Sequence, residues 1–447
     1  MTLALPGLVI LACTASITAL GDLRLHLPAF LALFFLAFAA YLFAFHHLRL
    51  ARGDLRVILL FAAAYRLLLL PASPTLSDDL YRYVWEGRVL AAGLSPYRYA
   101  PDDAALRPLR DEAIWAHVNN LSVSSPYPPL AQLGGLLGYL LTPTSPLGVK
   151  LISTAGDVAT IAAVLLLLRA TGRAPAGVLV YAWNPLVLLA FSHSGHNDSL
   201  MVAPLTFAAV GAAAGHRRRT ALWLAAAVLA KVTPLLLLPP LARRLGWRAT
   251  VLAGATIAGA WLPFLWLGGG ATGSIATYLG QWADNDSVHA IIRQIAGAPA
   301  AKALCLLLLG AGIAAVATHP VLRARPFWWQ AYAILGLSIV LASTVHAWYL
   351  TWLLPFIAVQ VANQDQVPAG RMSGMQLRDP ALAWLLFSGL VALPYLTYDT
   401  HQWRLWISFA EYVPLYLLLA LTRVWPVPGR LRLTAVQLDA PMAAAAD

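Results

Sequence analysis

Charge is scarce in this sequence, and lysine is scarcer still. Of 447 residues only 11% are Asp, Glu, Lys or Arg, against about 25% in soluble domains. The lysines are Lys150, Lys231 and Lys302 alone. A water-soluble globule is excluded on this ground. Cysteine is almost missing as well. Cys13 and Cys305 both lie in apolar runs, which argues against a disulfide framework and reads as two small buried hydrophobes. The short alternating segments of a porin-type barrel are absent, and no repeat with a period of about 20–50 residues is visible.

What the sequence has is apolar length. Hydrophobic residues make up 60% of it, and the mean hydropathy is +0.70. A spanning helix needs about 20 mostly apolar residues, and such stretches recur from Leu3 to Leu421. With lipid as the main solvent, backbone groups must be satisfied inside helices. The fold class is therefore all-α, a polytopic membrane bundle of about 12–14 helices. Spans are predicted at 3–20, 27–46, 57–71, 151–168, 176–191, 198–214, 251–267, 301–317, 327–343, 347–360, 381–397 and 405–422. The first lacks a basic leader and a cleavage site and reads as a retained span. Residues 1–425 form one transmembrane domain, and 426–447 hang free in the cytoplasm.

The net charge of +11 does not indicate nucleic acid, because the arginines sit in short clusters between apolar runs. These are Arg49, Arg52 and Arg56, then Arg217, Arg218 and Arg219, then Arg243, Arg244 and Arg248, then Arg323 and Arg325, and finally Arg423, Arg430 and Arg432. All are expected to face the cytoplasm. The preference for Arg over Lys points to a GC-rich bacterium, and the expected location is a bacterial inner (plasma) membrane. The third span then exits into the longest polar loop, 72–129, which carries five Arg against seven acids and belongs on the periplasmic or outer side. Its many aromatics argue for order. Two segments do not fit simple crossings. Residues 220–242 are flanked by arginines at both ends and hold Lys231 and Pro234 inside, which predicts two half-length helices in a re-entrant hairpin with Lys231 near its tip. Residues 130–142 are too short to cross and read as a half-helix or interfacial helix.

Ionisable groups at membrane depth or at its edge need a reason, and this topology gathers several at the outer level. They are Asp78 and Asp79, His193, His196 and Asp198, Lys231, Asp284, Asp286 and Arg293, His346 and Tyr349, and Asp399, His401 and Arg404. A carboxylate there can take a proton from an acceptor hydroxyl. Cations can steady a phosphate leaving group, and aromatic rings can stack on sugars. Each residue also has a plainer reading. Asp78 or Asp79 can cap a helix beginning near Leu80, Lys231 can snorkel, and His196 and His346 can be hydrogen-bonded interfacial histidines. Trp85, Trp282, Trp348 and Trp403 suit an interfacial aromatic belt. Arg66 fits either snorkelling or phosphate, and Asp157 fits a partner on another span. The gathering carries the argument.

The stretch SDDLYRYVWEGRVLAAGLSPYRYAPDD at 77–103 and SPYPPLAQL at 125–133 resemble the first outer loop of GT-C superfamily glycosyltransferases. The closest likeness is to bacterial polyprenyl-phosphate-mannose-dependent mannosyltransferases. WNPLVLLAFSHSGHNDSLM (183–201), LAKVTPLLLLP (229–239), WADNDSVHAII (282–292), HAWYLTWLLP (346–355) and EYVPLY (411–416) follow in the family's order. The resemblance implies a polyprenyl-monophosphate-linked hexose donor, mannose above all, a glycolipid or glycan acceptor, and an inverting transfer on the periplasmic side. It places the family's base on Asp79, with Asp78 in a more variable slot, and a phosphate-binding lysine on Lys231. His196, Asn197 and Asp198 match its Gly-His-Asn-Asp motif, and His346, Trp348 and Tyr349 its His-Pro-Trp-Tyr motif, with Ala347 where proline is common. Arg82, Arg88 and Arg293 are further candidates for the donor's phosphate or sugar. No cofactor is implied. A divalent metal is not required, since protein cations can neutralise a monophosphate, but it stays open. The rival class is a transporter or flippase of a lipid-linked sugar, which needs no base and would place its site at the midplane between related halves.

Overall fold

Apolar runs become helices wherever their length allows it, and prolines and glycines set the breaks. The computed structural model describes residues 3–48, 54–268, 284–362, 380–398 and 405–424. In chain order the helices are α1 (Ala4–Ala19), α2 (Leu27–Leu48), α3 (Leu55–Leu69), α4 (Asp79–Ala91), α5 (Pro129–Leu141) and α6 (Leu147–Ala170). A bent pair follows, α7 (Pro175–Ala182) and α8 (Pro185–His193). Next come α9 (Ser199–Ala213), α10 (Arg217–Ala230), α11 (Leu238–Leu245), α12 (Trp247–Trp266), α13 (Val288–Ala296) and α14 (Ala298–Thr318). The last are α15 (Pro320–Ala324), α16 (Phe327–Leu341), α17 (Leu354–Val361), α18 (Pro380–Leu390) and α19 (Leu405–Val424). No strand occurs among the described residues. The fold is all-α and polytopic.

Five helices are long and apolar enough to cross a bilayer, and a sixth if α7 and α8 count as one span. Ala4–Ala19, Ser199–Ala213, Phe327–Leu341 and Leu405–Leu421 are apolar but shorter. The predicted spans at 176–191 and 347–360 are not single rods. The one at 176–191 is bent by 55°, because Pro185 cannot continue a helix and Asn184 caps a new one by accepting the Leu186 N–H at 2.9 Å. The one at 347–360 begins as a 3-10 turn, Ala347–Trp352, before α17. The 220–242 segment breaks at Lys231, after α10, and resumes through a 3-10 turn at Thr233–Leu237 into α11.

Three arginine clusters share one end of the bundle. Arg244 Nη2 donates to the backbone carbonyls of Arg323, at 2.6 Å, and of Arg325, and the Arg217 guanidinium lies beside Gly246. For these three clusters the shared end agrees with the expected grouping. Arg49, Arg52, Arg430 and Arg432, and the tail 426–447, lie outside the described residues, as does the side chain of Arg423.

At the end where α4 starts, the 72–129 loop folds over a core of its own. Leu80, Tyr83, Val84, Trp85 and Val89 of α4 pack with Leu106, Ile114, Val118 and Val149. The 13-residue helix α5 lies against α4 at very close range. A Cβ on Gly135 would sit 2.6 Å from the carbonyl oxygen of Tyr83, and backbone cannot yield as a flexible side chain would. Gly135→Ala is expected to cost about 1–3 kcal/mol through overpacking. A lower unfolding temperature in detergent would show it, and an unchanged one would contradict this close approach.

Candidate active site

Asp79 opens α4, directly after the third span. Its N–H reaches Ser77 Oγ at 3.3 Å. Its Oδ1 accepts from Asn119 Nδ2 at 2.8 Å, and its Oδ2 lies 3.8 Å from His196 Nδ1. A quarter of the side chain stays accessible. Burial pushes its carboxyl above the usual carboxylate range; the Asn119 hydrogen bond and the Lys231 charge pull the other way, while Asp198 adds to the rise.

His196 owes its place to Gly195, whose φ of +64° is a left-handed conformation that side chains other than glycine's rarely tolerate. The His196 ring is buried and stacks on Trp348 with centroids 3.6 Å apart. His346 stacks on the same indole at 4.5 Å. Three rings thus form one wall. Neither nitrogen of His196 has a hydrogen-bond partner among the described residues. Burial first, then Lys231 and the neighbouring histidines, hold His196 well below the ordinary imidazole value. Burial and Lys231 hold His346 at about 4. Both shifts favour the neutral ring over the imidazolium.

Lys231 sits in the break after α10, one quarter exposed. Its Nζ donates to Asp198 Oδ1 at 2.6 Å, and Trp352 Nε1 donates to the same oxygen at 2.7 Å. The ammonium lies 4.7 Å from the Tyr349 ring centre and 5.0 Å from that of Trp352, within cation–π range. Asp198 is buried, and its Oδ2 has no partner among the described residues. Lys231 is thus ion-paired rather than snorkelling.

The structure brings Asp79, His196, Asp198, Lys231, His346 and Tyr349 together and leaves other candidates apart. Asp78 is half exposed and faces Arg24 at 3.8 Å; it stands at the helix N-cap position without a side-chain cap bond. Arg82 spends its donors on Glu86 Oε1 at 2.6 Å and on the carbonyls of Asn119, Asn120 and Val123. It therefore holds the loop segment that delivers Asn119 to Asp79. Arg88 pairs with Asp111 at 2.6 Å and donates to the carbonyls of Leu109 and Pro143. Arg293 reaches Asp286 at 3.5 Å, and Asp286 also pairs with His289 at 2.6 Å. His193 is buried against Ser194 Oγ at 3.2 Å. Asp399, His401, Arg404, Trp282 and Trp403 lie outside the described residues.

Three contributors were not anticipated. Asn119 and Trp352 touch Asp79 and Asp198. Lys150 is buried in α6 and donates to the carbonyls of Leu69, at 3.1 Å, and Ala72, holding the end of α3 that leads to Asp79. Lys150 alone carried a sequence signal, as one of only three lysines.

A helical membrane bundle with a long ordered loop, whose helix α4 presents an acid near a lysine and a wall of aromatic rings, is the arrangement expected of a GT-C glycosyltransferase. Residues 14–247 match the family model described as alpha-(1->6)-mannopyranosyltransferase, N-terminal domain. The match covers just over half of the chain, and the chain belongs to that family: it is a multi-pass membrane mannosyltransferase. No curated protein matches it.

Proposed function

We propose that the protein transfers mannose from a polyprenyl-phosphate donor to a hydroxyl of a glycan or glycolipid acceptor, in one inverting displacement on the periplasmic side. The observation that carries this reading is the single cluster in which an accessible Asp79 carboxylate lies by His196 while Lys231 stands at the break of a membrane segment. The acceptor oxygen attacks the anomeric carbon as Asp79 takes its proton. The bond from that carbon to the phosphate oxygen breaks, and polyprenyl phosphate leaves with the electron pair. A lysine carries three donors; with one on Asp198, two remain for phosphate oxygens. The neutral His346 ring and Tyr349 complete that side. An α-linked product, as the family's description has it, requires a β-linked donor if the displacement inverts.

Protein reconstituted in vesicles, given polyprenyl-phosphate mannose and a mannoside acceptor, is expected to form a new α-mannosidic bond, read by mass spectrometry. Movement of donor between leaflets with no product would replace this reading by that of a transporter. Lys231→Met is expected to raise the donor KM by about tenfold or more, given about 1.5–3 kcal/mol for a hydrogen bond to a charged group. A donor KM equal to wild type would remove Lys231 from the phosphate site.

A further inference from the structure

The His346–Trp348 wall is held in place from the far end of the chain, by residues that no step of the transfer uses. The Asp284 N–H donates to the Ser343 carbonyl, and the Val345 N–H donates to the Asp284 carbonyl, both at 3.0 Å. Together they make an isolated parallel bridge between Asp284 and Thr344, just before His346. Asn285 follows at a φ of +49°, an uncommon conformation for a residue other than glycine. Its Nδ2 donates to the Val345 carbonyl at 3.3 Å and to Glu411 Oε1 at 3.0 Å. Its own carbonyl accepts from Tyr412 Oη at 2.6 Å. Ser287 Oγ and Tyr416 Oη lie 2.7 Å apart. Glu411 is fully buried in α19.

A buried acid in a membrane helix is costly and needs a partner. Among the described residues Glu411 forms no ion pair, and the hydrogen bond from Asn285 is what it makes. We propose that Glu411 is a positioning residue of the transferase site. Through Asn285 it fixes the backbone at 343–345, and so sets the His346–Trp348 rings against which His196 stacks beside Asp79. The left-handed backbone of Asn285 is consistent with such a role, since strained conformations persist where the surroundings hold them. The site then extends well past residue 247, where the family match ends. This inference rests on the polyprenyl-phosphate mannose reading only for its kinetic test.

The full-length protein, reconstituted and assayed with polyprenyl-phosphate mannose, tests it. Glu411→Leu is expected to raise the donor KM about tenfold with the acceptor KM unchanged. Glu411→Gln, whose amide oxygen accepts the same hydrogen bond, is expected to stay within about twofold of wild type. An unchanged donor KM in Glu411→Leu overturns the proposal, and so does an equal loss in the Leu and Gln variants. Should Glu411→Leu fail to accumulate, Tyr412→Phe deletes only the hydroxyl on Asn285 and is expected to move the donor KM in the same direction, by about threefold; no movement overturns the proposal. A second readout does not depend on the donor. Modification of His346 by diethyl pyrocarbonate, mapped by mass spectrometry, is expected to quicken severalfold in Glu411→Leu and not in Glu411→Gln. A wild-type protein that makes no product from polyprenyl-phosphate mannose sinks the donor reading instead, and the His346 measurement still decides the role of Glu411.

Discussion

Asp79→Asn is expected to cut mannosyl transfer by about a hundred- to ten-thousand-fold, the usual range for a lost general base, with little change in stability. The substitution keeps the shape of the side chain and an oxygen for Asn119 Nδ2, which now reaches Asp79 Oδ1 at 2.8 Å. It removes the ability to take a proton. Asp78→Asn is the internal control: that carboxylate is half exposed and faces Arg24, so activity is expected to stay near wild type. The pH profile carries a second signature. Asp79 must be ionised to act, and its carboxyl is held above the usual range, first by burial. As pH falls through that raised value the base is lost. The acid limb of kcat/KM is therefore expected at a higher pH than an ordinary aspartate would give. Normal turnover by Asp79→Asn in membranes would mean that another group takes the proton.

The second large effect concerns stability. Arg66 of α3 and Asp157 of α6 are both buried, with Nε to Oδ2 at 2.6 Å and Nη2 to Oδ1 at 3.1 Å. This is the two-pronged geometry in which guanidinium and carboxylate bind best. Nη1 also donates to the carbonyls of Ala62 and Ala182, both at 2.9 Å. Ala182 ends α7, just before the 55° bend, where the broken helix leaves backbone oxygens without N–H partners. Arg66 supplies one. Removing either member of the pair strands a buried charge, at about 3–5 kcal/mol. Asp157→Ala and Arg66→Leu are each expected to lower the unfolding temperature sharply or to prevent accumulation. The double variant Arg66→Leu with Asp157→Leu is expected to recover part of that loss, because neither charge is then left alone. Single variants with wild-type unfolding temperatures in detergent would show that the pair does not hold α3 to α6.

The helices were legible because apolar length is a local property. So was the break at Lys231, since a lysine followed by Pro234 interrupts an otherwise apolar run. Pro185 offered a similar signal, yet the run around it is continuous enough to read as one span. Partners were not legible. Arg82 and Arg88 read as phosphate ligands because an arginine in a polar loop advertises charge, while its hydrogen bonds depend on distant chain, as with Leu109 and Pro143, 21 and 55 positions from Arg88. The bond between Arg66 and Asp157 spans 91 positions; the sequence offered the two residues and no means of joining them. Asn119 had no signal at all. Among the candidate site residues, those the structure gathers lie beside a break or a turn, as Asp79, His196, Lys231 and His346 do. The arginines, which had only their charge to recommend them, went elsewhere.

The cluster draws on four distant parts of one polypeptide: Asp79, then His196 with Asp198, then Lys231, and finally the run from His346 to Trp352. A ribosome that has released residues 1–247 into the bilayer has delivered the acid and the lysine, but not Trp352, which donates to Asp198 at 2.7 Å, nor Trp348, on which His196 rests. Assembly must wait for the late helices to insert. If the cluster is the transfer site, as proposed, a chain that ends before residue 346 is expected to be inactive even though it carries Asp79 and Lys231.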